Sequence, residues 1–149
     1  MKTTKIKLER SSLICLVIWL KLQPLQGMKS RSRTRFLYAL QPFLEEFDSF
    51  RMKWVEKYAE RDEKTKEIVI VEDGNTGKQE YEFTPENRKK FEDEIAVYVN
   101  EVVEVEFPDK LREDYVFVKN LVLNTNAEFS GKKAEEYDKW ASSFQNDTP

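Results

Sequence analysis

Histidine is absent from this 149-residue chain, and cysteine occurs once, at Cys15. Without an imidazole there is no Ser-His or Cys-His dyad, no general base of the commonest kind near neutral pH, and no route to most zinc or iron sites. A single thiol finds no disulfide partner within the chain, which suits a reducing cytoplasm. Cys15 itself reads as a small buried hydrophobe with no nearby base to activate it. Glycine is almost as scarce, with four in all, and no phosphate-cradling loop, CxxC pair or nucleophile elbow is present. These absences argue against an enzyme, and neither a cofactor nor a metal is expected.

Long apolar runs are missing too. The longest, Leu13-Ile-Cys-Leu-Val-Ile-Trp-Leu20, spans about 12 Å as a helix against a bilayer core of roughly 30 Å, so it is not a membrane span. It follows a basic stretch as a signal peptide would. However, Lys21, Pro24 and Gly27 come next, and no pair of small residues marks a cleavage site. A buried core helix is the better reading, and no membrane partner is expected.

What the chain does have is charge and aromatic rings: 36% charged residues, 13% aromatic, and a formal net charge of −3. That many rings belongs to a folded chain rather than a solvating tail. The length suits one compact domain that needs no staple to hold a core. Charge is unevenly placed. Residues 1–35 carry nine cations against the single anion Glu9, whereas the rest is strongly acidic. Such polarity suits pairing between the two parts or an anionic partner for the first.

The spacing predicts an α+β domain, mainly helical, with a small antiparallel sheet. Alternation at Lys5-Ile-Lys-Leu-Glu9 predicts a strand over 5–9. A helix over 12–23 follows, capped by Ser11 or Ser12. The next helix, over 31–62, carries apolar residues at intervals of three and four, with Pro42 as a kink or restart. Its seven rings (Phe36, Tyr38, Phe43, Phe47, Phe50, Trp54, Tyr58) are expected in the core. Two β-rich runs around Asp73-Gly-Asn-Thr-Gly77 predict a hairpin over 67–83, which joins the 5–9 strand as a three-stranded sheet. That turn lacks the acidic residue a calcium loop needs for its bidentate ligand.

Thr84-Pro-Glu86 opens a helix assigned to 85–106, with Phe91, Ile95, Tyr98, Val102 and Val105 on its buried face. Helices over 109–123 and 131–144 follow, the last opening at Ser130 before a polar tail that is expected to fray. Trp19, Trp54 and Trp140 are expected to share one core.

Two groups of charged residues are candidate sites. Met28-Lys-Ser-Arg-Ser-Arg-Thr-Arg-Phe36 places four cations, Lys29, Arg31, Arg33 and Arg35, at a helix N-terminus, where the dipole disfavours them by tenths to about 1 kcal/mol unless an anion answers. Arg31 and Arg35 lie about 40° apart on the helix, opposite the apolar stripe, and together could offer a fork to a carboxylate or phosphate. Arg33 projects toward the stripe and is expected to pair with an acid of the second half. The alternative for all of them is internal pairing. Glu92, Asp93, Glu94 and Glu101 form the second group, on the polar side of the 85–106 helix, where they could imitate a phosphate backbone. Nucleic acid is disfavoured as a ligand, because the basic stretch is short and the whole chain acidic.

An opening strand, an apolar helix running into Leu25-Gln-Gly-Met-Lys-Ser-Arg-Ser-Arg-Thr-Arg-Phe36, a long acidic helix, a hairpin, and a closing Phe129-Ser-Gly-Lys-Lys-Ala-Glu-Glu-Tyr-Asp138 together resemble an uncharacterised family of small proteins from phages and prophages of Gram-positive bacteria. The resemblance spans nearly the whole chain and implies a setting rather than a reaction. It suggests a virion or tail-module assembly accessory acting by protein-protein binding, in the host cytoplasm or with the virion. The alternative is an inhibitor of a host nucleic-acid-handling or defence protein that presents the acidic surface as a decoy. Weak nucleic-acid binding through residues 29–35 comes third, and homo-oligomerisation is left open.

Overall fold

A computed structural model describes residues 3–149 and shows an α+β fold. In chain order the elements are strand β1 (Thr3–Glu9), helix α1 (Arg10–Leu22), helix α2 (Met28–Tyr58), strands β2 (Ile70–Glu72) and β3 (Gln79–Tyr81), helix α3 (Pro85–Val99), strand β4 (Val102–Pro108), a single 3₁₀ turn (Asp109–Leu111), and helices α4 (Arg112–Leu123) and α5 (Lys132–Gln145). The chain packs as two compact units, one of residues 1–44 with 100–149, the other of residues 45–99. Helix α2 begins in the first and ends in the second.

The first unit is built on a two-stranded antiparallel sheet of β1 and β4, with Ile6 opposite Val105 and Leu8 opposite Val103. Here the helix assigned to 85–106 is corrected: it ends at Val99, and the chain re-enters as a strand. Val102 and Val105 fit a helical interval, but Val103-Glu-Val-Glu-Phe107 alternates with period two, and β-branched valines favour the extended form. The fold selects that period because it buries Val105 and Phe107 on the face where β1 buries Ile6 and Leu8. The same register sets Lys5 opposite Glu106 and Lys7 opposite Glu104 on the outer face, with contacts of 3.4–4.0 Å.

Phe36 of α2 is fully buried against Phe107, with ring centroids 4.8 Å apart, and Tyr115 and Phe144 close the same cluster. Burying one such ring contributes roughly 1.5–3 kcal/mol. Trp140 packs against Trp19 at 5.7 Å and donates its indole N–H to the Ser12 carbonyl at 2.9 Å, tying α5 to α1. Trp54 is not part of this core. It lies in the second unit, stacked on Tyr58 at 5.7 Å.

Neither serine caps α1. Glu9 occupies the N-cap without a capping bond from its side chain, which pairs instead with Lys139 at 3.7 Å, and Ser12 is buried inside the helix. The tail does not fray either. Thr148 exchanges two backbone hydrogen bonds with Lys5, at 2.8 and 3.0 Å, and Asp147 accepts from the Tyr115 hydroxyl and from Lys119. Helix α5 starts behind Gly131, whose φ of +58° is one a side chain would strain, rather than at a capping Ser130.

In the second unit, β2 and β3 form the expected hairpin, with Asp73 Oδ1 accepting from the Asn75 amide in the turn. It stands as its own sheet, so the expected three-stranded sheet with β1 does not form. The Thr84 hydroxyl accepts from the Asn87 amide and caps α3 as its sequence foretold. Tyr98 stacks on Phe50 with centroids 3.8 Å apart, and Val55 is fully buried. Helix α2 continues through Pro42 and stops at Tyr58, short of the expected residue 62.

Candidate functional site

The basic cluster divides into three kinds of residue. Arg33 reaches back to the end of α1 and donates to the carbonyls of Leu20, at 3.1 Å, and Gln23, with Ser30 Oγ at 3.3 Å. The expected acidic partner for Arg33 is therefore replaced by helix-end carbonyls. These lie at the negative end of the α1 dipole, and the Leu20 carbonyl also accepts the Gln23 amide at 3.2 Å. Arg35 is also committed within the fold. Its Nε donates to Asp114 Oδ2 at 3.0 Å, and the Asp114 side chain is only 10% exposed. Asp114 sits in the first turn of α4, where its charge suits the positive helix end.

Lys29 and Arg31 remain exposed, and among the described residues neither side chain has a hydrogen-bond or ion-pair partner. The expected Arg31–Arg35 fork is thus half occupied: Arg35 is held by Asp114, and Arg31 is the cation left to act outward. Arg31 lines a surface groove of about 560 Å³ together with Arg35, Tyr38, Glu106, Pro108 and Lys110. A neighbouring hollow of about 480 Å³ shares Arg31 and Arg35 and adds Asp109, Glu113 and Asp114. Charges of both signs therefore surround Arg31, an arrangement suited to a mixed-charge protein surface rather than to a phosphate backbone.

Tyr38 was not anticipated in this role. Counted by sequence among the core rings, it is 66% exposed. Two residues beyond Phe36 on a helix is about 200° around the axis, so Tyr38 faces away from the ring that is buried. That offset was the available signal. Lys110 and Glu106 carried none, since their approach to α2 depends on a strand the sequence reading placed in a helix.

The acidic group is split. Glu92 and Asp93 are exposed and Glu94 is half-buried on α3, in the second unit, whereas Glu101 lies in the first. Glu101 pairs there with the Arg10 side chain and accepts the Arg10 amide through its carbonyl at 3.0 Å. The four carboxylates therefore do not line one helix.

Three further titratable side chains belong to the scaffold. Burial opposes the charge on Asp147, yet donation from Lys119 and Tyr115 leaves its carboxyl below the ordinary range. Burial, then the Asp147 carboxylate, pushes the Tyr115 phenol far up. The Cys15 thiol is raised, first by burial and then by Glu136. A thiol in that state is a poor nucleophile. Among the described residues no helix is long and apolar enough to cross a membrane, and no group of three or more acidic or thiol side chains converges as a metal site. A scan of protein-family models and searches of curated proteins and of solved structures return no match for this chain.

Proposed function

We propose that this chain is a non-enzymatic binding protein, an accessory of phage virion or tail assembly, that engages a protein partner through the groove beside Arg31. The observation that carries the binding reading is the division of labour at the start of α2. Arg33 and Arg35 are consumed by Leu20, Gln23 and Asp114, while among the described residues the Arg31 side chain has no partner and lines the groove with an exposed tyrosine. Arginine and tyrosine are the residue types that anchor protein interfaces. The phage setting rests on the sequence resemblance at residues 29–36 and 130–138.

Internal use of Arg33 and Arg35 leaves too few cations for nucleic acid, because affinity grows with each phosphate neutralised. The decoy reading loses Glu101 to Arg10 and keeps only the α3 carboxylates. Crosslinking and mass spectrometry with purified virion components tests the proposal. Wild-type protein should capture a structural component, and Arg31→Glu or Tyr38→Ala should weaken capture at least tenfold with the fold unchanged. Equal capture by both variants refutes it.

A further inference from the structure

The ladder of β1 and β4 has one edge tied down and one open. Both backbone groups of Lys5 are bonded to Thr148, so the Lys5–Glu106 pair exchanges no hydrogen bonds across the ladder. The same parity returns at the other end. Arg10 donates its amide to Glu101, which makes Glu9 and Val102, one step along, a non-bonded pair. Val102, Glu104 and Glu106 therefore aim their N–H and C=O groups outward from the far edge of β4. Among the described residues those groups have no backbone partner. All three residues are exposed, Val102 at 64%. Unpaired backbone groups of this kind stay hydrated and form a template for another strand.

The side chains say which strand. Lys5 and Lys7 form a cationic row on the outer face of β1, and Glu104 and Glu106 form an anionic row on β4. Opposed charges of unlike sign favour cross-strand pairing, and like charges disfavour it. A second copy joining edge to edge through its own β4 would set these carboxylates against themselves. A strand with Lys or Arg at alternate positions would repeat on the open side the pattern β1 makes on the other.

We propose that the free edge of β4 takes up an extended basic segment of a protein partner as a third strand, its cations facing Glu104 and Glu106. This site is a backbone edge that adjoins the groove beside Arg31 at Glu106, and it does not rest on the reading of Arg31.

The test uses the peptide Lys-Val-Lys-Val-Lys-Val-Lys, with Glu-Val-Glu-Val-Glu-Val-Glu as control, titrated into isotope-labelled full-length protein. The basic peptide should shift the Val102, Glu104 and Glu106 amides saturably and slow their hydrogen exchange at least tenfold. The acidic one should do neither. Glu104→Pro removes an outward N–H that the β1 ladder does not use, which an edge strand tolerates, and should weaken binding at least tenfold. Glu104→Lys with Glu106→Lys should exchange the preference to the acidic peptide, and decides the matter if the proline variant fails to fold. Three results overturn the proposal: no saturable shift, binding unchanged by Glu104→Pro in a folded protein, or a wild-type dimer by light scattering whose β4 edge amides are already protected.

Discussion

Replacing Arg35 by alanine separates a scaffold arginine from a binding one. The change strips the Nε–H that lies 3.0 Å from Asp114 and leaves a carboxylate only 10% exposed without its cation. Removing one partner of a fully buried pair costs about 3–5 kcal/mol, and an exposed pair is worth about 0–1. The Arg35 side chain is 38% exposed, so solvent screens part of the interaction, and about 2 kcal/mol is the expected loss. At this chain length that lowers Tm by roughly 4–8 °C. Arg31→Ala, which breaks no pair, should stay within about 0.5 kcal/mol of wild type. The double variant Arg35→Ala with Asp114→Ala should cost about 1 kcal/mol less than the sum of the singles, because the second change removes the stranded charge. Urea unfolding followed by circular dichroism, with slopes compared between variants, measures all four. An Arg35→Ala protein as stable as wild type, or an Arg31→Ala protein equally weakened, would refute the assignment.

Other consequences follow from the first unit. Trp140→Phe loses the bond to the Ser12 carbonyl and part of the packing on Trp19, and should cost about 2–3 kcal/mol by thermal unfolding. The folded carboxyl of Asp147 lies below its ordinary 3.8, so its contribution is present above that pH and lost as pH falls through the lower folded value. The stability gap between wild type and Asp147→Asn should accordingly close in urea melts taken below about pH 4. Tyr115 is shifted the other way, so its contribution is full below pH 10 and declines above it. Ultraviolet absorbance in an alkaline titration should show a tyrosine still protonated well past pH 10, and Tyr115→Phe should remove that late step.

Much of this fold is legible from local chemistry. The alternation at residues 5–9 marks its strand by side-chain period, and the Thr84-Pro-Glu86 start and the turn at Asp73-Gly74 specify their elements through bonds among near neighbours. What depends on distant partners is hidden. Val102 and Val105 fit a helical interval while Val103, Val105 and Phe107 fit an extended one, and only the matching faces of Ile6 and Leu8 decide between the two. The tail is polar by composition, yet Lys5 and Tyr115, more than a hundred and about thirty residues away, hold it. In the candidate site the sequence marks the four cations but not their division, because the Leu20 carbonyl and Asp114 come beside them only when α1 and α4 pack. Trp54 shares the helical stripe with Phe36 but falls in a different unit, a boundary that no break in the α2 pattern announces.

The most direct test of the binding proposal is capture of purified tail and virion components by three proteins: wild type, Arg31→Glu, and a variant with Glu92→Gln, Asp93→Asn and Glu94→Gln. A structural component held by wild type and by the α3 variant but released by Arg31→Glu is the result expected. Failure of wild type to hold any structural component, with a host nuclease or defence protein held instead and released only by the α3 variant, would contradict it.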